Sequence, residues 1–360
     1  MNRAAAQKSS TGCVVYADPA ALPDAAAGLF AAPEADLFAS RDWFDLVIAH
    51  ALPPTAAPLF AAVGGALLAP LRTDGCGRAA ALACPYTGEY APALAPGLDV
   101  PARLAASITL CRALRHFALV RLEAMPDGEW IDTLRAAARA AGIVALPFAH
   151  FGNWHEAMAG RDFAAYLAAR PGALRGTIRR RRRQTEADPA LRVECLRDPA
   201  EMARGIAAYQ HVYARSWKPE EPFPGFIPAL MERAAARGLL RLGLVWRAEA
   251  PIAAQLWIVS GGTGFVLKLA HDEAEAAHSP GTVLTASVLA DLIDREHVQA
   301  IDFGRGDDAY KQGWAKQRRQ RMGVLLANPR HPLAWPALAR HGLGLARQAI
   351  RPRSVPSSAQ

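Results

Sequence analysis

Residues whose side chains could take part in catalysis or bind charged substrates are concentrated between Ala270 and Trp314. The stretch begins at His271 and Asp272, continues through residues 279–282 (SPGT) into a helix with apolar periodicity, and ends with residues 302–314, DFGRGDDAYKQGW. Carboxylates, lysines, a histidine and a tyrosine are the residue types used for acid–base catalysis and for binding charged substrates. Because polar and flexible residues lie at both ends of one helix–strand unit, the sequence favours a functional site here.

The start of this helix has the features of an anion site. Gly281 allows the backbone to come close to a ligand, and the free N–H groups of a first helical turn bind anions such as phosphate. Ser279 or Thr282 would contact the phosphate or simply cap the helix, and the local sequence leaves both interpretations open. The corresponding point in the first half, residues 100–102 (VPA), has no glycine, which favours ligand binding by the second half alone.

The elements around this stretch form a pattern that occurs twice. The second half is predicted to contain three strands (239–247, 252–260 and 264–270), a helix from Thr282 and a strand from Val298. The first half has three meandering strands, a helix and a strand in the same order, about 180 residues earlier. We therefore predict an α+β protein with two copies of one unit, at residues 1–155 and 156–330, followed by a peripheral tail at residues 331–360.

The composition predicts a folded, basic protein. Hydrophobic residues make up 52% of the 360 residues and charged residues 21%, which is enough for a sizeable core. The formal net charge of +8 favours anionic partners, such as nucleotide phosphates, RNA, an acidic carrier protein or a lipid surface. Five cysteines without metal-binding spacing indicate reduced thiols and no metal site. Since neither a signal peptide nor a membrane-spanning run is recognised, we expect a cytoplasmic protein without stable membrane insertion.

Four motifs stand out in the second half: residues 216–218 (SWK), 267–272 (LKLAHD), 279–281 (SPG) and 302–314. Together, over about residues 179–327, they resemble the FemAB-like and CelD-like (cellulose-biosynthesis) acetyltransferases of the GNAT superfamily. The resemblance implies two tandem GNAT-like domains, each a mixed sheet flanked by helices, with the second one active and the first a degenerate partner. The usual phosphate loop is reduced here to Gly281, and His271 stands where similar sequences often carry tyrosine.

The resemblance also implies a reaction, in which an amine attacks an acyl donor and the resulting oxyanion needs hydrogen-bond donors. A backbone N–H beside the strand at residues 264–270 would serve the oxyanion. The expected donor is acyl-CoA, with acetyl-CoA first, whereas other branches use an acyl carrier protein or aminoacyl-tRNA. The acceptor would be a small-molecule amine or sugar amine, and the physiological setting of similar proteins is polysaccharide or cell-envelope biosynthesis.

The candidate side chains divide into three groups. Lys268 and Lys311 would stabilise developing charge or hold a substrate carboxylate. Proton acceptors would be Asp302, Asp307, Asp308 and, as a second base, His271, while Tyr310 would protonate the leaving group. Substrate contacts are expected from Trp217, Gln255, Arg305 and Asp307.

Structural alternatives accompany these roles. Asp302 would instead face solvent or pair with Arg305, and Tyr310 and Trp314 would form a packed aromatic pair on a helix. Residues 179–183 are five consecutive arginines, which would dock tRNA or a carrier protein or would simply be solvated. Two other functions therefore stay open: an aminoacyl-tRNA-dependent FemAB-type peptidyltransferase, and a non-catalytic protein that binds an anionic partner. The sequence does not indicate an oligomeric state.

Overall fold

The computed structural model describes residues 12–341 and the backbone of a two-residue strand, Gln7–Lys8. Fourteen strands are present in this part of the chain: β1 (Gln7–Lys8), β2 (Val14–Tyr16), β3 (Ala57–Val63), β4 (Leu67–Thr73), β5 (Arg78–Ala81), β6 (Ala93–Leu94), β7 (Leu119–Met125), β8 (Val144–Ala157), β9 (Leu191–Leu196), β10 (Leu240–Arg247), β11 (Ala250–Ser260), β12 (Thr263–His271), β13 (Ala300–Arg305) and β14 (Gln317–Ala327). The helices of the same part are α1 (Asp24–Ala27), α2 (Arg41–His50), α3 (Val100–Ala113), α4 (Glu129–Ala140), α5 (Phe163–Ala168), α6 (Gly172–Ala187), α7 (Met202–Ala214), α8 (Phe226–Ala236), α9 (Pro280–Asp294) and α10 (Lys311–Trp314).

All strands join one mixed sheet, whose order is β1-β2-β3-β4-β5-β7-β14-β8-β13-β12-β11-β10-β9, with β6 paired to β4. Helices cover the sheet, and β11 is buried along almost its whole length, as expected for a strand covered on both faces. The helix α9 packs on one face of the second half, where Leu284, Val288 and Leu292 bury an apolar stripe. The predicted α+β class, with a large mixed sheet flanked by helices, is confirmed.

The predicted repeat is visible in the sheet. In the first half β3, β4 and β5 form an antiparallel meander, α3 follows, and β7 pairs parallel to β5. In the second half β10, β11 and β12 form the meander, α9 follows, and β13 pairs parallel to β12. The helices start at Val100 and Pro280, about 180 residues apart, as the sequence predicted.

The two halves exchange strands at the centre of the sheet. The last strand, β14, lies between β7 and β8 of the first half, and it is antiparallel to both. In turn β8 lies between β13 and β14, so that it extends the sheet of the second half. Each half is therefore completed by a strand from the other.

The central strand β8 is longer than predicted. The sequence indicated a short strand at residues 142–146, but the strand runs for 14 residues, from Val144 to Ala157. Its second part carries His150, Asn153, His155 and Glu156, and these polar residues interrupt the apolar pattern by which a buried strand is recognised. The proposed boundary between residues 155 and 156 falls within this strand, and the division into two units at that point stays a prediction. Of the proposed tail, residues 335–341 are helical, and residues 342–360 lie outside the described part of the chain.

Candidate functional site

The strands β12 and β13 separate from one another. They pair only where Thr263, Gly264 and Phe265 meet residues 300–302, and the rest of β12 has no partner on that side. Gly304 marks the separation, since its φ is +66° and a Cβ atom there would lie 2.8 Å from the carbonyl oxygen of Val266. The result is an opening in the sheet between the second half of β12 and the end of β13.

A bulge in β12 lies at this opening. In the pairing with β11, Lys268 is opposite Leu256 and Val266 is opposite Trp257, so that Leu267 is the extra residue. Leu267 has no register partner in β11 or in β13. A bulge interrupts the regular ladder, and the Leu267 N–H beside the opening is therefore a candidate oxyanion donor.

The start of α9 faces the same region. Ser279 adopts the left-handed conformation (φ 53°) and does not cap the helix with its side chain. The N–H groups of Thr282 and Val283 bond to the Ser279 carbonyl, whereas the N–H of Gly281 has no partner among the described residues. One free amide and the positive end of a 15-residue helix are therefore available to an anion.

Gln255 supports this helix start. Its side-chain amide donates to the Gly281 carbonyl at 3.0 Å and to the Thr285 hydroxyl at 2.7 Å, and it accepts from the Trp257 indole at 3.0 Å. Since the side chain is buried and its hydrogen bonds are directed into the fold, the geometry favours a supporting role over the predicted contact with substrate.

Trp217 and His271 form a wall beside Gly281. Their rings are 4.5 Å apart, and Trp217 is 48% exposed. A Cβ atom on Gly281 would meet only His271 Nδ1, at 3.6 Å, so the space in front of the helix start is open. Burial lowers the pKa of His271, and the neutral ring is therefore available as a base at neutral pH.

Lys268 lies on the opposite face of the sheet, in a cluster that joins the two halves. Its ammonium contacts Glu221 at 2.7 Å and lies 4.6 Å from the ring of Tyr86. Tyr86, from the first half, donates to Glu221 at 2.5 Å, and Tyr209 does so at 3.1 Å. Burial lowers the pKa of Lys268, although the Glu221 carboxylate opposes this change.

Asp302 is held by three donors. Its carboxylate accepts from the Asn153 amide and the Gly304 N–H, both at 2.7 Å, and from Arg319 at 2.6 Å. The residue is 4% exposed, and it pairs with neither solvent nor Arg305, which corrects both structural alternatives. Because all three hydrogen bonds are made within the fold, the geometry favours a role in holding the backbone at Gly304, and the predicted role as a base stays a prediction.

Lys311 closes the loop that follows β13. Its ammonium donates to the carbonyl of Arg305 at 2.5 Å and pairs with Asp308 at 3.1 Å. The side chain is buried, and this burial lowers the pKa of Lys311. Tyr310 is half exposed whereas Trp314 is buried, so they do not form the packed pair that the spacing suggested. Loss of hydration raises the pKa of Tyr310, so that the phenol keeps its proton at neutral pH.

Arg305 and Asp307 point to different surroundings. Arg305 stacks 4.3 Å above the Phe151 ring and donates to the Cys84 carbonyl at 3.2 Å, both in the first half. Asp307 is exposed and makes a two-pronged ion pair with Arg318, at 2.7 and 2.8 Å. Neither side chain is free for substrate in this arrangement, and their predicted substrate contacts stay predictions.

A buried ion pair supports α10. Arg170 and Glu156 are each 4% exposed and bond to one another at 2.9 Å. Arg170 also donates to the Trp314 carbonyl at 2.8 Å, and Glu156 accepts from the Lys316 N–H at 2.8 Å. The pair therefore holds the backbone on both sides of Ala315, where α10 ends.

The predicted arginine run lies in α6. Arg179, Arg180, Arg182 and Arg183 are exposed and make no ion pair among the described residues. Arg181 instead donates to the Ala277 carbonyl, in the segment that leads into α9. The run is therefore a solvated surface next to the start of α9.

Residues 172–312 match the family model of the acetyltransferase (GNAT) domain. The matched domain contains the separated strands, the bulge and the start of α9. It begins with α6 and ends within α10, so β14 and the first half lie outside it. No curated protein matches the chain.

Solved structures share the fold across both halves. The crystal structure of FemX superimposes with a TM-score of 0.59 at 11% identity, covering 85% of this chain and 96% of FemX. L-PGS from Bacillus licheniformis gives a TM-score of 0.50 at 12% identity, with 78% and 86% covered. At these identities the likeness concerns the fold alone.

Two further properties concern the residues that the structure describes. None of their helices is both long and apolar enough to cross a membrane. Within the same residues, no group of three or more histidine, cysteine, aspartate or glutamate side chains is arranged to hold a metal ion. The five cysteines are all free.

Sequence reasoning missed the residues that come from a distance. Glu221 lies in a proline-rich turn, and Tyr86 contacts it from 135 positions away. Asn153 and Arg319, which hold Asp302, lie on β8 and β14. Asn153 and Arg319 are polar residues in short stretches that could form strands, and this is the one signal that the sequence offers. Exposed strand residues give the same signal, so it does not identify a functional site.

Proposed function

We propose that the chain is an N-acyltransferase that transfers an acyl group, acetyl in the first place, from acyl-CoA to an amine. The observation that carries this proposal is the opening between β12 and β13, with an unpaired bulge at Leu267 on its edge and the start of α9 beside it. This arrangement lies within the region that matches the GNAT domain, and in this proposal the Leu267 N–H is the oxyanion donor and the start of α9 is the anion site.

The donor is assigned to the α9 face of the opening. The free N–H of Gly281 and the positive end of α9 would hold a phosphate, with Trp217 and His271 as a wall. Acyl-CoA supplies an activated thioester carbonyl, whose oxygen would accept a hydrogen bond from the Leu267 N–H. Transfer forms a bond from the amine nitrogen to the carbonyl carbon and breaks the carbon–sulfur bond.

Proton transfers complete the reaction. The amine has to lose a proton, and His271 is the candidate base whose ring is neutral and next to the assigned donor site. The departing sulfur has to gain one, and Tyr310, half exposed on the loop that follows β13, is the candidate acid. Lys311 would stabilise charge near the same loop.

Thermal unfolding with acetyl-CoA, longer acyl-CoAs and free CoA tests the donor assignment. Binding to the folded state stabilises it by about 2.7 kcal/mol at a ligand concentration one hundred times Kd, so a saturable rise in Tm is expected. Gly281→Glu should abolish the rise because it adds a negative charge at the anion site. Gly281→Ala is the matched control, since its methyl group fits at 3.6 Å from His271. No rise with any CoA, or equal loss in both variants, would contradict the proposal.

An aminoacyl-tRNA-dependent transferase is the second candidate. It is favoured by the exposed arginines of α6, which could contact RNA phosphates. It is also favoured by the start of α9, where a single free amide offers few hydrogen bonds to the pyrophosphate of CoA. It predicts nucleic acid in the purified protein and binding that falls steeply with salt, because phosphate contacts release counterions. Elution free of nucleic acid at low salt would count against it. A third candidate is a non-catalytic binding protein. In that case the unsubstituted protein has no acyl-transfer activity, so Lys311→Ala cannot lower it.

A further inference from the structure

A cavity of about 400 Å³ lies between α7, α8 and the loop that joins them. Its size is within the range of small-molecule sites, about 300–1,000 Å³. The residues that matter for its chemistry are Tyr209, Tyr213, Lys218, Glu220, Glu221 and Ile227. None of the assigned donor contacts belongs to it, and we call it the α7–α8 pocket.

The pocket adjoins the chemistry of the opening through one residue. Glu221 lines the pocket, and its carboxylate holds the ammonium of Lys268 at 2.7 Å. Lys268 directly follows the bulge residue Leu267 in β12. The side chain of Lys268 therefore links the pocket to the position that follows the bulge.

The charges of the pocket are incompletely paired. Lys268 neutralises Glu221, and the tyrosines 86 and 209 complete the hydrogen bonds of that carboxylate. Lys218 and Glu220, on the rim, have no ion-pair partner among the described residues. The Lys218 ammonium lies 5.3 Å from the Trp217 ring. One cation and one carboxylate are thus available to a ligand.

The rest of the lining is largely apolar. Ile227, two prolines (224 and 228) and the ring of Tyr213 form this surface. Such a surface accepts an aliphatic or aromatic side chain and offers little to a polyhydroxylated ring. The pocket therefore combines a positive group, a negative group and an apolar surface within one cavity.

We propose that the α7–α8 pocket binds the acceptor as an α-amino acid with an apolar side chain. Lys218 holds the carboxylate, Glu220 receives the ammonium on entry, and Ile227 with its apolar neighbours takes the side chain. The inference rests on the proposed function for the role of this molecule as acceptor, but binding itself requires no donor.

Calorimetric titration of the full chain at pH 7, without any CoA, tests the proposal. L-Leucine should bind saturably, whereas L-leucinamide, which lacks the carboxylate, and N-acetyl-L-leucine, which lacks the ammonium, should each bind about tenfold more weakly. A hydrogen bond to a charged group contributes about 1.5–3 kcal/mol, which corresponds to tenfold or more. D-Glucosamine tests a sugar-amine acceptor in the same assay.

Two variants assign the carboxylate contact. Lys218→Met keeps the apolar stem and should weaken leucine about tenfold while leaving leucinamide unchanged. Lys316→Met is the control, because the Lys316 side chain is exposed and makes no ion pair among the described residues. Melting curves of both variants check that they fold.

The proposal is overturned if leucine does not bind, if glucosamine binds and leucine does not, or if Lys218→Met weakens leucine and leucinamide equally. The donor titration gives a separate result. Leucine binding without a CoA response would keep the pocket and refute the CoA-dependent function, and the reverse pattern would refute the pocket alone.

Discussion

Replacing Gly304 with alanine should force β12 and β13 apart at the point where they separate. The residue has a φ of +66°, and the added methyl carbon would lie 2.8 Å from the Val266 carbonyl oxygen. The obstacle is backbone rather than the end of a flexible side chain, so one of the two strands has to move. The substitution therefore combines a conformational cost with a steric one.

The two costs can be separated. A left-handed conformation costs a non-glycine residue about 1–2 kcal/mol, and overpacking adds about 1–3 kcal/mol. Gly97 has a φ of +73° with nothing within 4 Å of the position that a methyl group would take, so Gly97→Ala carries only the first cost. We expect Gly304→Ala to lose about 2–5 kcal/mol of unfolding free energy, and Gly97→Ala about 1–2 kcal/mol.

Urea unfolding of both variants measures this difference, and a titration with acetyl-CoA follows on whichever remains folded. Gly304→Ala should also weaken donor binding, because the bulge lies across the same opening, whereas Gly97→Ala should not. If the two variants lose the same free energy within about 0.5 kcal/mol, the contact between Gly304 and Val266 does not control the separation and the reasoning fails.

Three other perturbations test the supporting contacts. Arg170→Met should cost about 1.5–3 kcal/mol in urea unfolding, because it removes one buried partner of the Glu156 carboxylate, which keeps its contact with Arg161 at 3.0 Å; a loss below about 0.5 kcal/mol would contradict this. The hydrogen bonds of Glu156 lower its pKa, so the stability that its charge contributes is complete above the unfolded pKa of about 4.3 and disappears as the pH falls through the folded value. The penalty of Glu156→Gln should therefore be larger at pH 7 than at pH 3, and an equal penalty would refute the link. Tyr86→Phe removes a hydrogen bond to the charged Glu221 and should lower the free energy of unfolding by about 1.5–3 kcal/mol. The control Tyr90→Phe removes a hydrogen bond to a neutral carbonyl and should lower it by about 1 kcal/mol. Equal losses would show that the charge of Glu221 does not strengthen the contact.

The local elements of the second half were predictable from sequence. Strands β10 and β11 are largely apolar, Gly261 and Gly262 separate β11 from β12, and α9 carries leucine and valine at helical spacing. Strand β9 was not predicted, and only the start of β8 was. In β9, Arg192 and Glu194 interrupt the apolar pattern, and in β8 the polar residues are buried by pairing with strands distant in sequence. Apolar periodicity does not report on such strands, because their burial comes from the tertiary structure.

The site was predictable in position but not in its contacts. Gly281, His271 and Trp217 were each named as candidates, but the contacts that bring them together were not predicted. Gln255 and Asp302 were recognised as polar residues within strands, yet their partners include Gly281 and Asn153, which lie 26 and 149 positions away. Hydrogen bonds over such distances depend on strand order, and strand order is not encoded in any local pattern.

The position of β14 bears on how the chain is made. The gap between β7 and β8 can be closed only by residues 317–327, about 160 positions after β8 leaves the ribosome. At about 5–20 residues per second, the first half waits roughly 8–32 seconds with two unpaired strand edges. Such edges are templates for pairing with other chains. Slow synthesis or truncation before β14 would therefore lead to aggregation of the nascent chain rather than to a smaller folded unit.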